Sequence, residues 1–170
     1  MTEPRGGGPH ATVAGHGLRV TLPGRWEARL YVRDRQAVGD WIEGDSPNPV
    51  LHLANFALPP GRGDFGTGAV ERMGAEHAFV SLLEFDGEEA GRPLFEHRGV
   101  PRPTLRDFAP NQLQRRLPGQ LGSQTFCTVD ARAFCLYVVL GSREHAGRLL
   151  DEVHGVLDNL EVGVRDDLTV

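Results

Sequence analysis

The sequence predicts an α/β fold of the α+β type, a layered sandwich in which a central, mostly antiparallel sheet carries a C-terminal helix. Residues Ala133–Leu140 form an almost unbroken apolar run rich in aromatic and β-branched side chains, which is typical of a strand covered on both faces. An amphipathic helical pattern follows at once over Arg143–Leu160. The chain has 170 residues, enough for one such core and too few for two ordinary domains. We therefore predict a single domain over residues 16–163.

The predicted domain begins with a hairpin. Residues 1–15 are rich in Gly and Pro and are predicted as a flexible segment, as is the polar tail 164–170. Apolar side chains alternate with polar ones over Gly17–Leu22, which predicts the first strand. Because Pro23-Gly24 is a turn sequence, we expect Trp26–Val32 to return as its hairpin partner.

The middle of the chain predicts two more strands and a long irregular region. A third strand is predicted over Val50–Leu58, a weak short helix over Thr67–Glu76 and a mostly buried fourth strand over His77–Phe85. Five prolines interrupt residues 86–122, so long regular elements are not expected there. Within that region, the spacing of Thr104–Asp107 is typical of the capped first turn of a short helix.

The relative position of the two cysteines depends on the register of a second predicted hairpin, between Ser123–Val129 and Arg132–Leu140. A two-residue turn at Asp130-Ala131 places Cys127 opposite Phe134 and turns Cys135 to the other face, so that no disulfide can form. A three-residue loop would place Cys127 directly across from Cys135. We favour two reduced, buried thiols.

The last helix is predicted to begin after Ser142, whose hydroxyl can cap it, and to run to about Leu160. Its apolar side chains recur at helical spacing and fall on one face: Ala146, Leu149, Leu150, Val153, Val156, Leu157 and Leu160. Such a face needs an apolar surface of similar size, which the predicted central strand provides.

This order of elements resembles the PsbP-like fold. The segments that carry the resemblance are Gly17–Trp26, Arg132–Ser142 and Val156–Val162. The fold is shared by the extrinsic P subunit of photosystem II, the Mog-type Ran-binding proteins and many actinobacterial proteins. The resemblance implies a sheet-and-helix sandwich with binding or accessory roles, and it brings no shared catalytic residues with it.

Composition and charge argue against some classes of binding partner. The chain is 39% hydrophobic with a net charge of −5, which argues against a general binder of nucleic acid or of anionic membranes. We find no signal peptide, lipidation motif or transmembrane segment, so we expect a cytoplasmic protein. Its partner is then expected to be another protein or a second copy of the chain.

The polar residues suggest no catalytic centre. The serines lack a Gly-x-Ser-x-Gly elbow, and the seven histidines show no metal-ligand spacing. Glu84 falls in an apolar strand, so we expect it at a strand edge or paired with an Arg. We predict no catalytic residues, no cofactor and no metal site, and we lean towards a protein that is not an enzyme.

A glycine-rich stretch provides the alternative function. Gly61-x-Gly63-x-x-Gly66 matches the dinucleotide-binding fingerprint, and Asp86 follows about twenty residues later, where a ribose contact would stand. Against this, Pro59-Pro60 interrupts the strand that should precede it, and the predicted helix contains glycines. Because of the fingerprint match, the loop Gly61–Gly68 is kept as a candidate site for a small enzyme or sensor that binds a nucleotide or phosphate. Because of the two objections, this function is the alternative and not the favoured one.

The favoured function rests on residues 96–122, here called the insert. The insert has five arginines against two acids, a net charge of +3, so the rest of the chain carries −8. Irregular loops held on a rigid sheet are common binding surfaces. We therefore predict a partner surface, with Arg115 and Arg116 most exposed, made of Arg98, Arg102, Arg106, Arg115 and Arg116.

Overall fold

A computed structural model describes residues 10–33 and 48–165, so the first nine residues and the last five of the predicted flexible ends lie outside it. Eight strands and one α-helix follow one another in this part of the chain. They are β1 (Ala11–Gly15), β2 (Leu18–Leu22), β3 (Glu27–Val32), β4 (Pro49–Ala54), β5 (Ala78–Phe85), β6 (Leu121–Val129), β7 (Arg132–Leu140), α1 (Ala146–Leu157) and β8 (Leu160–Val162). The mixed, sheet-dominated fold class is as predicted.

The predicted apolar strand lies in the interior of the larger sheet. Five antiparallel strands stand in the order β3-β4-β5-β7-β6, so β7 pairs on both sides. Every residue of β7 is buried. Its two faces belong to two different apolar clusters, with Val138 in one and Val139 in the other. The continuous apolar run is therefore explained by burial on both faces, which confirms the prediction.

The hairpin between β6 and β7 has the two-residue turn. Asp130 and Ala131 have φ angles of 46° and 61°, the left-handed pair of a type I′ turn, although Ala is an unusual residue there. Cys127 therefore stands opposite Phe134, and Cys135 stands opposite Phe126. Because the thiols lie on opposite faces of the sheet, both cysteines are free.

The predicted first hairpin is wrong, because β2 and β3 belong to different sheets. Strand β2 is the middle of a three-stranded antiparallel sheet in the order β1-β2-β8. Its partner β1 occupies residues 11–15, which the sequence had suggested were flexible. At the turn after β2, the Trp26 N–H donates to the Pro23 carbonyl at 3.0 Å, and the chain then crosses into the larger sheet.

The last helix is shorter than predicted. Helix α1 ends at Leu157, and the chain turns into β8, which pairs with β2. Leu160 was expected on the helix and is instead the first residue of that strand. The six other apolar positions predicted for the helix face are all buried on α1, so the predicted packing face is correct even though the helix boundary is not.

Two apolar clusters cover the two faces of the larger sheet. The first lies between that sheet, α1 and the smaller sheet, and includes Val20, Leu53, Phe134 and Leu149. The second lies on the opposite face, where side chains of residues 56–73 and of the insert pack against the sheet. Loops therefore take the place of a second layer of helices there. The Gly-rich loop packs on this face, whereas the insert reaches both faces, with Leu113 and Leu117 in this cluster and Phe108 in the first one.

These covering segments contain short 3-10 helices. The third predicted strand ends at Ala54, and the helix predicted over Thr67–Glu76 is reduced to the 3-10 turn Val70–Arg72. Four more such turns follow between residues 87 and 112. One of them, Leu105–Asp107, has the predicted capping box, in which the Asp107 carboxylate accepts the Thr104 N–H at 2.7 Å.

Candidate functional site

A groove of about 480 Å³ separates the insert from the start of α1. It is an open surface groove and not an enclosed cavity. One wall comes from the insert and the beginning of β6, and the other from the residues that lead into α1. The lining residues are Pro110, Arg116, Leu117, Pro118, Gly119, Gln120, Leu121, Ser142 and Arg143. Hereafter this is called the groove.

The insert wall is held by a tight turn. The Gln120 N–H donates to the Leu117 carbonyl at 3.2 Å, and Gly119 has a φ of +81°. Pro followed by Gly suits the two central positions of such a turn. The Gln120 side chain is buried, and its Nε2 donates to the Val70 carbonyl at 2.7 Å. The wall is thus fixed both locally and to the segment that covers the sheet.

The opposite wall is held by Ser142. Its hydroxyl donates to the Ala75 carbonyl at 2.8 Å and accepts the His145 N–H at 3.2 Å. The prediction that Ser142 caps the helix from Arg143 is wrong, because α1 begins at Ala146, its N-cap residue is His145 and no side chain caps it. Next to Ser142, the Gly141 N–H donates to the His77 carbonyl at 2.9 Å. Both walls of the groove are therefore fixed by hydrogen bonds to the body of the domain.

Two arginines give the groove a positive charge. Arg116 and Arg143 are both exposed, and neither has an ion pair with another residue in the described ranges. The lining includes no Asp or Glu. The remaining lining is largely apolar, from Pro110, Leu117 and Pro118 among others. The groove therefore combines apolar contact with unneutralised positive charge.

The five arginines predicted as one partner surface are dispersed. Arg115 forms an ion pair with Glu71 at 3.1 Å, and Arg102 forms one with Asp158, directly after the end of α1. Arg98 and Arg106 are exposed and have no ion pair among the described residues. Of the five, only Arg116 lines the groove. Arg115 and Arg116 are thus neighbours in sequence with different surroundings.

The Gly-rich loop is bonded to the sheet and to itself. The Gly63 N–H donates to the Thr67 carbonyl at 2.9 Å, and the Gly66 N–H to the Gly63 carbonyl at 2.9 Å. The Gly68 N–H donates to the Glu71 carboxylate at 2.7 Å. A phosphate-binding loop presents such amides to its ligand at the start of a helix. Here they are already engaged, and only the three-residue turn Val70–Arg72 follows.

The sheet holds this loop through a buried histidine and serine. His52 and Ser81 are opposite each other on β4 and β5, and both are fully buried. The Asp64 carbonyl accepts from His52 Nε2 at 2.9 Å and from the Ser81 hydroxyl at 2.6 Å. Arg62 Nε donates to His52 Nδ1 at 3.0 Å. Burial lowers the pKa of His52 to about 4, so the ring is neutral at pH 7.

These contacts describe an anchor and not a catalytic pair. Both ring nitrogens of His52 are engaged, one as a donor and one as an acceptor, so neither can accept a proton from Ser81. The hydroxyl of Tyr31 donates to the Asp64 carboxylate at 2.8 Å, and burial, followed by that carboxylate, raises the pKa of the phenol. Asp64 is thereby held through both its backbone and its side chain.

Glu84 is paired with an arginine, one of the two placements expected. Arg132 donates from Nε and Nη2 to the two carboxylate oxygens at 2.9 and 2.7 Å, and both side chains are buried. The same guanidinium donates to the carbonyls of His16 and Gly163 at 2.8 and 2.9 Å. This pair therefore joins the larger sheet to one end of the smaller one, where the turn between β1 and β2 meets the end of β8.

The two cysteines are buried on opposite faces of the larger sheet. Burial raises the pKa of Cys127 to about 12 and that of Cys135 to about 11, so both thiols are protonated at pH 7. Within residues 10–33 and 48–165, no three His, Cys, Asp or Glu side chains are grouped to hold a metal ion. In the same part of the chain, no helix is long and apolar enough to span a membrane.

Arg143 is the groove residue that sequence reasoning missed. It follows Gly141-Ser142 at the start of the helix, where a charged residue is ordinary. Its significance comes from the fold, because β6 and β7 pair Leu121 with Leu140 and so bring the end of the insert beside the start of α1. No local pattern in the sequence signals this meeting with Arg116.

Comparison of the chain with protein-family models, with functionally described proteins and with solved structures finds no match. The PsbP-like resemblance therefore stays a prediction, and function has to be argued from the residues themselves.

Proposed function

We propose that this protein is a non-enzymatic interaction module that binds an acidic protein partner in the groove. The observation that carries the proposal is that Arg116 and Arg143, from two separate segments of the chain, line one groove that has no Asp or Glu among its lining residues. Exposed charges of one sign in a concave site attract a partner of opposite charge and speed its association. The apolar lining adds contact area that a purely electrostatic surface would lack.

The same role suits the rest of the molecule. In the Gly-rich loop, the N–H groups of Gly63, Gly66 and Gly68 are engaged, and His52 has both ring nitrogens bonded, so neither feature favours the alternative of a nucleotide-binding enzyme or sensor. The predicted PsbP-like resemblance and the predicted cytoplasmic location agree with an accessory protein. A second copy of the chain is the other partner to consider, because residues outside the insert carry a net charge of −8.

Site-specific photocrosslinking tests the proposal. A photoreactive phenylalanine derivative is placed at Pro118 in the groove, and in a second protein at the exposed residue Glu88, outside the groove. Both are expressed in the organism that encodes the chain, and adducts are identified by mass spectrometry. We expect an acidic protein, or a second copy of the chain, to be crosslinked from position 118 and not from position 88.

A matched pair of charge reversals provides the control. Arg116→Glu/Arg143→Glu changes the groove, whereas Arg98→Glu/Arg106→Glu makes the same change in net charge at exposed residues outside it. The adduct should disappear in the first double variant and persist in the second. Equal loss in both would show that overall charge, and not the groove, governs the association.

A further inference from the structure

We infer that the groove takes an extended acidic segment of its partner, in which an apolar side chain lies beside carboxylates. This inference deepens the proposed function and rests on it. It distinguishes a flexible peptide that enters the groove from a folded acidic face that lies across it.

The lining favours a segment over a folded face. The groove is open to solvent, with Pro118 exposed and with Pro110 and Leu117 half-buried. Side chains that project from an extended backbone can reach the half-buried residues. A folded face would contact mainly the exposed ones.

The lining defines what that segment must contain. Arg116 and Arg143 each present a guanidinium, which binds a carboxylate through paired hydrogen bonds. The apolar residues between them suit a leucine, isoleucine or phenylalanine side chain, because burying such a group removes apolar area from water. An acid-only segment would use the arginines alone, and an apolar-only segment would leave them unpaired.

The walls need little rearrangement before binding. The Gln120 side chain is bonded to the Val70 carbonyl, and the Ser142 hydroxyl to the Ala75 carbonyl, so both sides are tied to the body of the domain. A preformed site binds a flexible segment with a smaller entropic cost than a site that must order itself. The segment alone is then ordered on binding.

Binding of labelled synthetic peptides to the full-length protein, measured by fluorescence anisotropy, tests the inference. One peptide set combines several Asp or Glu residues with a central Leu, Ile or Phe. Matched sets replace the apolar residue by Ser or the acids by Gln or Asn. We expect the mixed peptides to bind about tenfold or more tightly than either matched set.

The protein variants assign the binding to the groove. Arg116→Gln/Arg143→Gln should weaken the mixed peptides about tenfold or more, and Arg98→Gln/Arg106→Gln should leave them within about twofold. Circular dichroism spectra and melting curves confirm that both variants fold, since all four side chains are exposed. Equal binding of the Ser-containing peptides would overturn the inference, because the apolar lining would then be unused.

Failure of the inference and failure of the proposed function give different results. If no peptide binds while the crosslinked partner still requires Arg116 and Arg143, the partner presents a folded face, and only the inference is overturned. If the partner also binds both double variants equally, the proposed function is overturned as well.

Discussion

Removing Arg132 should destabilise the whole domain, because its partner would be left as an unpaired buried charge. Arg132→Met leaves the Glu84 carboxylate without its two hydrogen bonds, at a site where its side chain is only 4% exposed. Breaking one side of a buried pair costs about 3–5 kcal/mol. The carbonyls of His16 and Gly163 lose a donor in the same step.

A double-mutant cycle separates the ion pair from the packing. Glu84→Leu/Arg132→Met removes both charges and keeps apolar volume, so it should be less destabilising than the sum of the single changes by at least about 1 kcal/mol. The free energy of unfolding is measured by urea denaturation with the variants at one pH. For a chain of this length, 3–5 kcal/mol corresponds to a fall in melting temperature of roughly 6–20 °C.

The same variant should loosen the smaller sheet first. Since Arg132 contacts the turn between β1 and β2 and the residue after β8, hydrogen exchange should accelerate in Leu18–Leu22 before it does in β4. The reasoning is refuted if the free energy of unfolding of Arg132→Met lies within about 1 kcal/mol of that of the parent. It is refuted as well if the effects of the two single changes simply add in the double variant.

Three further changes test the core, the loop anchor and the alternative function. Val138→Asp places a carboxylate in the interior of β7, at a residue that is 1% exposed. It should lower the free energy of unfolding by several kcal/mol. A melting temperature close to that of the parent would show that β7 is not part of the core. The pKa of His52 is about 4 in the fold against 6.5 in the unfolded chain. The neutral, buried ring therefore contributes fully to the free energy of unfolding above pH 6.5, and this contribution is lost as the pH falls to about 4. Urea denaturation at several pH values should show a loss on the order of 3 kcal/mol. In His52→Asn, the free energy of unfolding should depend less steeply on pH over the same range. Nucleotides should not raise the melting temperature, whereas a true ligand at a hundredfold excess over its dissociation constant adds about 2.7 kcal/mol.

The larger sheet could be predicted because its signals are local. The apolar run of β7 and the helical spacing of α1 are each visible within a short window, and the structure confirms both. The spacing of Thr104 and Asp107 likewise specifies a capping box within four residues. The partner of Cys127 was left open, because the sequence allowed a two-residue or a three-residue turn, and the structure has the two-residue turn that pairs it with Phe134.

The smaller sheet could not be predicted, because its pairings join distant parts of the chain. Strand β1 consists of Ala, Thr, Val and Gly after a Gly-rich start, and β8 has only three residues. Neither carries a strong strand pattern of its own. Each becomes a strand because β2 offers it a partner, and Arg132 donates both to the turn between β1 and β2 and to the residue after β8. Context of this kind overrides local propensity.

The candidate site was predictable only in part. The positive charge of the insert was visible in the sequence and included Arg116, which lines the groove. The ion pairs of Arg102 and Arg115 depend on acids in other segments, Asp158 and Glu71, so their neutralisation could not be predicted. Arg143 enters the site only because the strand pairing brings the start of α1 beside the insert.

The central claim, that an acidic partner binds in the groove, is tested most directly by one comparison of dissociation constants. The partner identified by crosslinking is purified and titrated calorimetrically against the parent, Arg116→Glu/Arg143→Glu and Arg98→Glu/Arg106→Glu. If that partner is a second copy, dimer dissociation is measured by analytical ultracentrifugation. The account predicts a loss of at least about tenfold for the groove variant and a change within about twofold for the matched control. Equal weakening of the two double variants, or no weakening of either, would contradict it.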